Sequence, residues 1–283
     1  MIAVFDADNT LYDFARFFAY YFRSLVHLAS KATGADEAEV TLDLKNLYLK
    51  HGTIEYQFVI QESVLFRSQP PAKLEEAKRL LSIGARQVRQ KRLVLYEGVK
   101  PTLETLRLAG VKCVAVTNAP FYHVVQRFNW LGLHKYFDGL ICAQGAASPN
   151  PEGVAKDDRT RSQLSARYAF FHEVTKDRQK PSSAPYRMVR ERYSNQDKFI
   201  AIGDSINKDL RPAQSEGFIT VWARYGTEIE DQDMSTLLSV TPWTPVEIAE
   251  HEGVDFKPDF VVDRLSEIID LFDIRPLQND LFG

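Results

Sequence analysis

Asp6 and Asp8 stand two residues apart at the end of an uninterrupted apolar run, Ile2-Ala3-Val4-Phe5, in the stretch Asp6-Ala7-Asp8-Asn9-Thr10-Leu11. Carboxylates this close repel each other unless one takes up a proton or a cation sits between them. Two further apolar runs end in polar residues. Residues 111–116 lead into Thr117-Asn118, and Phe199-Ile200-Ala201-Ile202 leads into Gly203-Asp204-Ser205, with Asp209 five residues on. Oxygen-only ligands around a partly hydrated site favour Mg²⁺ over zinc. With the Thr117 hydroxyl, the Asn118 amide and the Lys180 ammonium added, the set suits a phosphoryl group, whose transfer depends mainly on positioning and charge neutralisation. Taken singly, Asp6 and Asp8 also read as a turn or a helix N-terminus, and Lys180 as a surface lysine. The combination with Asp204 is what points to chemistry.

Apolar runs without alternation read as strands buried on both faces, which predicts a parallel sheet flanked by helices. In open α/β sheets ligands bind just outside the carboxyl ends of the strands, where all three runs deliver their polar groups. The intervening segments fit crossover helices: 102–109 closing at Gly110, the spacing Val124, Val125, Phe128, Leu131 stopping at Gly132, and Tyr186, Val189, Tyr193. A further helix at 209–216, strands at 218–223 and 260–262, and a closing helix over 265–272 complete the pattern. The predicted fold class is therefore α/β, a doubly wound, Rossmann-like parallel sheet. Three stretches break the alternation. Residues 14–95 read as several helices with no strand, enough for a small helical domain of their own. Residues 146–179, with Pro149-Asn150-Pro151, read as a polar insertion, and residues 226–256, with Pro242 and Pro245, as a long surface excursion.

The chain has 283 residues, room for roughly two domains. Its 35 Lys+Arg against 38 Asp+Glu give a net charge of -3, which argues against a nucleic-acid partner. Two cysteines, Cys113 and Cys142, make no disulfide framework, and Cys113 falls inside a strand as a core residue. No leader is visible and no apolar stretch is long enough to span a membrane, so the cytoplasm is the expected compartment. No His-Glu-x-x-His, Gly-x-Gly-x-x-Gly or Walker-type loop occurs. Phe14, Phe17, Phe18, Tyr21 and Phe22 read as helix packing, with some rings free to line the cleft.

The four motifs in this order resemble the haloacid dehalogenase-like (HAD) superfamily. Asp6-Ala7-Asp8-Asn9-Thr10 is similar to its first motif, Thr117-Asn118 to its second, Lys180-Pro181 to its third, and Gly203-Asp204 through Asp209 to its fourth. Tyr96-Glu97-Gly98-Val99 resembles the return from a helical cap of the C1 type. The resemblance thus implies a core over 1–13 and 96–283, a cap over 14–95, and the insertion 146–179 within the core. Asn9 stands where the motif most often has glycine, and Asn tolerates unusual backbone angles better than most residues. Lys156, inside the insertion, is the alternative third-motif lysine.

The resemblance implies a role for each residue. Asp6 would be the nucleophile that forms an aspartyl-phosphate. Asp8 would protonate the leaving oxygen and then activate water. Thr117 would bind the transferring phosphate, Asn118 would assist, and Lys180 would hold both Asp6 and phosphate. Asp204 would ligate Mg²⁺ with Asp6 and the carbonyl of Asp8, and Asp209 would support that set. A second motif-one aspartate favours a phosphatase over a dehalogenase, so the expected reaction is hydrolysis of a small phosphomonoester, of nucleotide or sugar-phosphate type. A phosphomutase, a phospho-accepting signalling module and a catalytically silent binding scaffold are the alternatives. Arg16, Arg23, Lys50 and His51 are cap residues that either reach the substrate or, the blander reading, are solvated.

Overall fold

The computed structural model describes residues 1–56, 58–145, 154–241 and 255–277, with side chains of the helix 154–165 described from residue 160. Seven strands form one sheet: β1 Ile2–Phe5, β2 Lys112–Pro120, β3 Gly139–Ala143, β4 Phe170–Val174, β5 Phe199–Gly203, β6 Ile219–Ala223 and β7 Phe260–Val262. Every pairing is parallel, in the order β4-β3-β2-β1-β5-β6-β7. Phe5, at the end of β1, is level with Ala115 of β2 and Ile202 of β5. The polar residues at the carboxyl ends of these three strands therefore gather at one edge of the sheet. Strand order runs outward in opposite directions on the two sides of β1, which opens a crevice there.

The helices are α1 Phe14–Thr33, α2 Glu37–His51, α3 Val59–Glu62, α4 Val64–Arg67, α5 Pro71–Arg92, α6 Val99–Leu108, α7 Phe121–Leu131, α8 Val154–Ser165, α9 Ala184–Arg192, α10 Arg211–Ser215, α11 Asp231–Val240 and α12 Glu267–Leu271. All residues of β1 are buried, as double-sided covering demands. Ala3 and Phe5 enter one apolar cluster with Leu103, Val124 and Phe128, while Ile2 and Val4 enter another with Tyr186 and Val189. This is the doubly wound α/β sheet that the apolar runs predict. Among the described residues no helix is long and apolar enough to cross a membrane.

Two strands were not expected. β3 is short and opens on glycine. β4 is an edge strand whose Phe170 and Val174 are buried while His172 faces solvent, and His172-Glu173 interrupt the apolar run that marks the inner strands. The stretch 146–179 thus carries part of the sheet rather than a polar insertion throughout; residues 146–153 lie outside the described residues. The helix expected at 209–216 is interrupted too. Leu210 N–H bonds the Ser205 carbonyl five residues back, a widened turn over Ile206–Leu210 that precedes α10.

The described residues of 14–95 form helices with short connections and no strand, as expected. Phe14, Phe18 and Phe22 stack in sequence along α1, with ring centroids 5.7 and 6.4 Å apart. These rings, with Leu44 of α2 and Leu81 of α5, belong to the same buried cluster as Phe5 and Phe128.

The excursion at 226–256 is a surface feature only in part. Residues 231–240 form α11, which packs on α1 and α2 with Leu237 and Val240 fully buried. Asp231 and Asp233 in its first turn suit the positive end of the helix. Arg23 donates to Asp233 at 2.8 Å and to Thr236 at 2.7 Å, and Arg16 pairs with Glu230 at 3.1 Å. Residues 242–254 lie outside the described residues.

Candidate active site

Asp6 follows β1 directly and is buried, with its Oδ1 accepting from Lys180 Nζ at 2.5 Å. The same ammonium donates to Asp209 Oδ1 at 2.5 Å, and Asp209 Oδ2 accepts the Ser205 N–H at 3.1 Å. Asp6, Asp204 and Asp209 each offer a carboxylate oxygen within 4.8 Å of the others. One ammonium cannot offset three ionised carboxylates, so in the metal-free chain the crowding favours protonation. Burial, opposed by Lys180 and reinforced by Asp209 and Asp8, pushes the Asp6 carboxyl up to about 7. Burial and the charges of Asp6 and Asp209 raise Asp204 well above the carboxylate range. Burial works against the charge on Lys180 too, but Asp209 and Asp6 outweigh it and hold its pKa well above the ordinary value.

Lys180 is placed by Asn118. The Asn118 Oδ1 accepts the Lys180 N–H at 3.0 Å, and its Nδ2 donates to the Lys180 carbonyl at 2.7 Å. The end of β2 is thereby tied to the residue that neutralises Asp6, and the Asn118 amide works mainly as a splint for Lys180. Thr117, also buried, accepts the Ala119 N–H on its Oγ1 at 3.1 Å, leaving its hydroxyl proton to donate. The side chain of Lys156, the alternative lysine, lies outside the described residues.

The loop after β1 is fixed from several sides. Asn9 has φ 57, in the left-handed region that favours glycine, and its Oδ1 accepts the Ala15 N–H at 2.9 Å. Thr10 Oγ1 donates to Asp204 Oδ1 at 3.2 Å and accepts the Asp204 N–H at 3.1 Å, joining the first and fourth motifs. Trp222 Nε1 donates to the Asp204 carbonyl at 2.9 Å, and the Tyr225 hydroxyl to the Thr10 carbonyl at 2.7 Å. Gly226 lies so close that a Cβ there would sit 1.9 Å from the Asn9 carbonyl oxygen. A Cβ on Gly203 would fall 2.5 Å from that of Asp209. Both positions accept only glycine without moving a catalytic-loop neighbour.

Asp8 lies beside the cluster. Its Oδ1 accepts from the Tyr12 hydroxyl at 2.5 Å and faces Arg127 Nη2 at 3.4 Å. Burial raises its pKa, with Arg127 opposing. Burial thus favours the protonated form of Asp8, the form in which a carboxyl can donate a proton.

These groups line a cavity of about 390 Å³, the size of a small-metabolite pocket. Asp6, Asp8, Thr117, Lys180, Asp204 and Asp209 are all on its wall. The wall also includes Phe14, Thr53, Ile54 and Glu55 from the helical segment, Ile229 just before α11 and Met234 within it. Phe14 is the one ring of the α1 aromatic series that reaches the cavity. Four other residues of the segment do not: Arg16 and Arg23 bind α11, Lys50 pairs with Glu62, and His51 pairs with Glu62 and stacks on Tyr56.

A parallel sheet with its acidic groups gathered where the strand order reverses defines a doubly wound α/β enzyme. The chain matches the family model of haloacid dehalogenase-like hydrolases over residues 1–217 and belongs to that family. It is 24% identical to a glyceraldehyde 3-phosphate phosphatase of Methanopyrus kandleri over 282 residues, 98% of each chain. Among solved structures it resembles a HAD phosphatase from Thermococcus onnurineus, with a TM-score of 0.52 at 18% identity over 98% of this chain and 99% of that one. A 2-haloacid dehalogenase from Pseudomonas syringae superposes with a TM-score of 0.52 at 20% identity, covering 96% and 99%. These two likenesses concern the fold.

Proposed function

We propose that the protein is a Mg²⁺-dependent phosphatase that hydrolyses a small phosphomonoester through an aspartyl-phosphate on Asp6. It is a phosphoric monoester hydrolase by family and by the name of its curated relative. The observation that carries the reading is Lys180 held between Asp6 and Asp209, with Asp204 in reach, on the wall of a cavity that also contains Asp8 and Thr117. The helices over 14–95 act as the cap that covers this cavity, and the core comprises residues 1–13 and 96–283. Two buried free cysteines and the absence of a basic excess suit a cytoplasmic enzyme of a small metabolite.

The donor set fits a hard cation, because it is made of carboxylate oxygens alone and carries more negative charge than Lys180 offsets. Asp6, Asp204 and the main-chain carbonyl of Asp8 would hold Mg²⁺, with Asp209 supporting. When bound, it neutralises phosphate oxygens so that an anion can approach an anion. The Asp6 carboxylate attacks phosphorus as the bond to the leaving oxygen breaks, and Asp8 delivers its proton to that oxygen. Asp8 then takes a proton from the water that attacks the same phosphorus, releasing phosphate and restoring Asp6. Thr117 donates to the transferring group, and Lys180 offsets its charge.

The direct test is phosphate release from a panel of phosphomonoesters, with Mg²⁺ and with EDTA. Metal-dependent release is expected for at least one small ester. A long-lived phosphoenzyme without release would indicate a mutase or signalling module instead.

A second expectation concerns stability. A carboxyl whose folded pKa of about 7 exceeds its ordinary 3.8 binds more protons folded than unfolded, so the metal-free chain loses stability as pH rises through that range. Mg²⁺ needs those carboxylates ionised, so its stabilisation grows over the same range. The melting temperature with Mg²⁺ should exceed that with EDTA by several degrees at about pH 8 and hardly at all at about pH 5. A difference that does not change with pH would contradict it.

A further inference from the structure

We infer that Arg127 is a positioning residue for Asp8 and that Glu55 anchors it, so that the proton donor is aligned by a carboxylate carried on the helical segment. Arg127, on α7, is only 3% exposed. A guanidinium buried this deeply needs anionic partners, and here its two terminal nitrogens have them while Nε has none. Its Nη1 donates to Glu55 Oε1, its Nη2 reaches Glu55 Oε2 at 3.4 Å, and that same Nη2 faces Asp8 Oδ1 at 3.4 Å. Glu55 has one more partner, His123 Nδ1 at 3.0 Å. Burial works to raise the Glu55 pKa, but Arg127 and His123 outweigh it and hold it down at about 2.

The arrangement is directional. A planar guanidinium gripped by a two-oxygen partner has its orientation fixed. The Tyr12 ring lies 5.7 Å and the Phe14 ring 4.8 Å from its central carbon, so the plane is held by packing as well. Arg127 and the Tyr12 hydroxyl both address Asp8 Oδ1. Neither contact uses Oδ2, which stays available to the leaving oxygen. Glu55 lies between α2 and α3, on the cavity wall next to Thr53 and Ile54. The cavity wall at 53–55 and the residue that aims the acid are therefore linked through one ion pair. When the loop 53–55 is out of place, Arg127 loses its anchor and Asp8 its aim.

This inference rests on the phosphatase reading, and the test separates the two. Arg127→Gln, Arg127→Lys, Glu55→Gln and Glu55→Asp would be assayed on an alkyl phosphomonoester and on p-nitrophenyl phosphate. The nitrophenolate leaves without a proton, so only the alkyl ester needs an aligned acid. Arg127→Gln should lower kcat/KM for the alkyl ester about 10²-fold and hardly alter kcat/KM for p-nitrophenyl phosphate. The reason is that kcat/KM reads the step in which the leaving oxygen departs and not the later hydrolysis, where Asp8 serves both substrates alike. Glu55→Gln should act in the same direction with a smaller effect. Arg127→Lys and Glu55→Asp should each recover part of the loss. Equal losses of kcat/KM on both substrates, or no loss on either, would overturn the inference while leaving the phosphatase intact. Wild-type protein that releases phosphate from neither would overturn the reading of the site and this inference with it.

Discussion

Asp6→Asn is expected to lower phosphate release by about 10⁴-fold or more while leaving the protein at least as stable as before. An amide cannot take the phosphoryl group, and nothing else on the cavity wall occupies the place after β1 that Asp6 holds. The stability half of the result follows from the crowding. Asp6 is buried among like charges that push its carboxyl up to about 7, so at higher pH its ionisation opposes folding in the metal-free chain. Asn removes that charge, and Lys180 retains Asp209 as a partner. Thermal melting in EDTA at about pH 8 should therefore show the variant level with the wild type or above it. Phosphate release at wild-type rate would refute the nucleophile assignment. An inactive variant with a lowered melting temperature would instead place the defect in folding.

Lys180→Met should be harmful in both respects. The shape of the site would survive, because the Asn118 amide grips the main chain of residue 180 and not its side chain. The charge would not survive. Asp6, Asp204 and Asp209 would face one another within 4.8 Å without the ammonium that now bridges two of them. Breaking a buried ion pair from one side costs about 3–5 kcal/mol. The turnover loss should reach about 10³-fold, as for other charge-stabilising groups aimed at a transferring centre. Denaturant unfolding in EDTA reads the first figure and steady-state kinetics with Mg²⁺ the second. Because the cation supplies positive charge to the same carboxylates, Mg²⁺ should restore more stability to this variant than to the wild type. A variant as stable in EDTA as the wild type would show that Lys180 does not offset the cluster.

The catalytic half of the site was legible because it sits where the grammar of a parallel sheet puts it. Asp6, Thr117 and Asp204 each end an apolar run of plain strand type, and Lys180 precedes the helix that returns to the third of them. Asn9 was legible in the same way, its left-handed φ matching the tolerance expected of asparagine. Arg127 was hidden by its surroundings. It falls among Val124, Val125 and Phe128 on a helix whose apolar spacing is otherwise regular, and an arginine there reads as a solvated residue until a buried partner is known. That partner, Glu55, lies in a short connection with no periodicity to mark it. Asn118 was placed at the right strand end, but only coordinates show its amide engaged with Lys180. α11 offered a usable signal in Met234 and Leu237 behind two acidic residues, but Pro242 and Pro245 made the whole stretch look irregular. β4 stayed unseen because an edge strand with His172 facing solvent resembles polar connection.

The family match ends at residue 217, yet α11 begins at Asp231 and buries Leu237 and Val240 against α1 and α2. A chain trimmed to the shared stretch would retain every motif and still lose one flank of its first helices. Phe22 and Val26, which border the seam with α11, would be uncovered together with the unpaired guanidinium of Arg23. Such a fragment would be adhesive rather than minimal, because contiguous apolar surface drives association. The end of the family match is thus not a boundary at which this molecule can be cut.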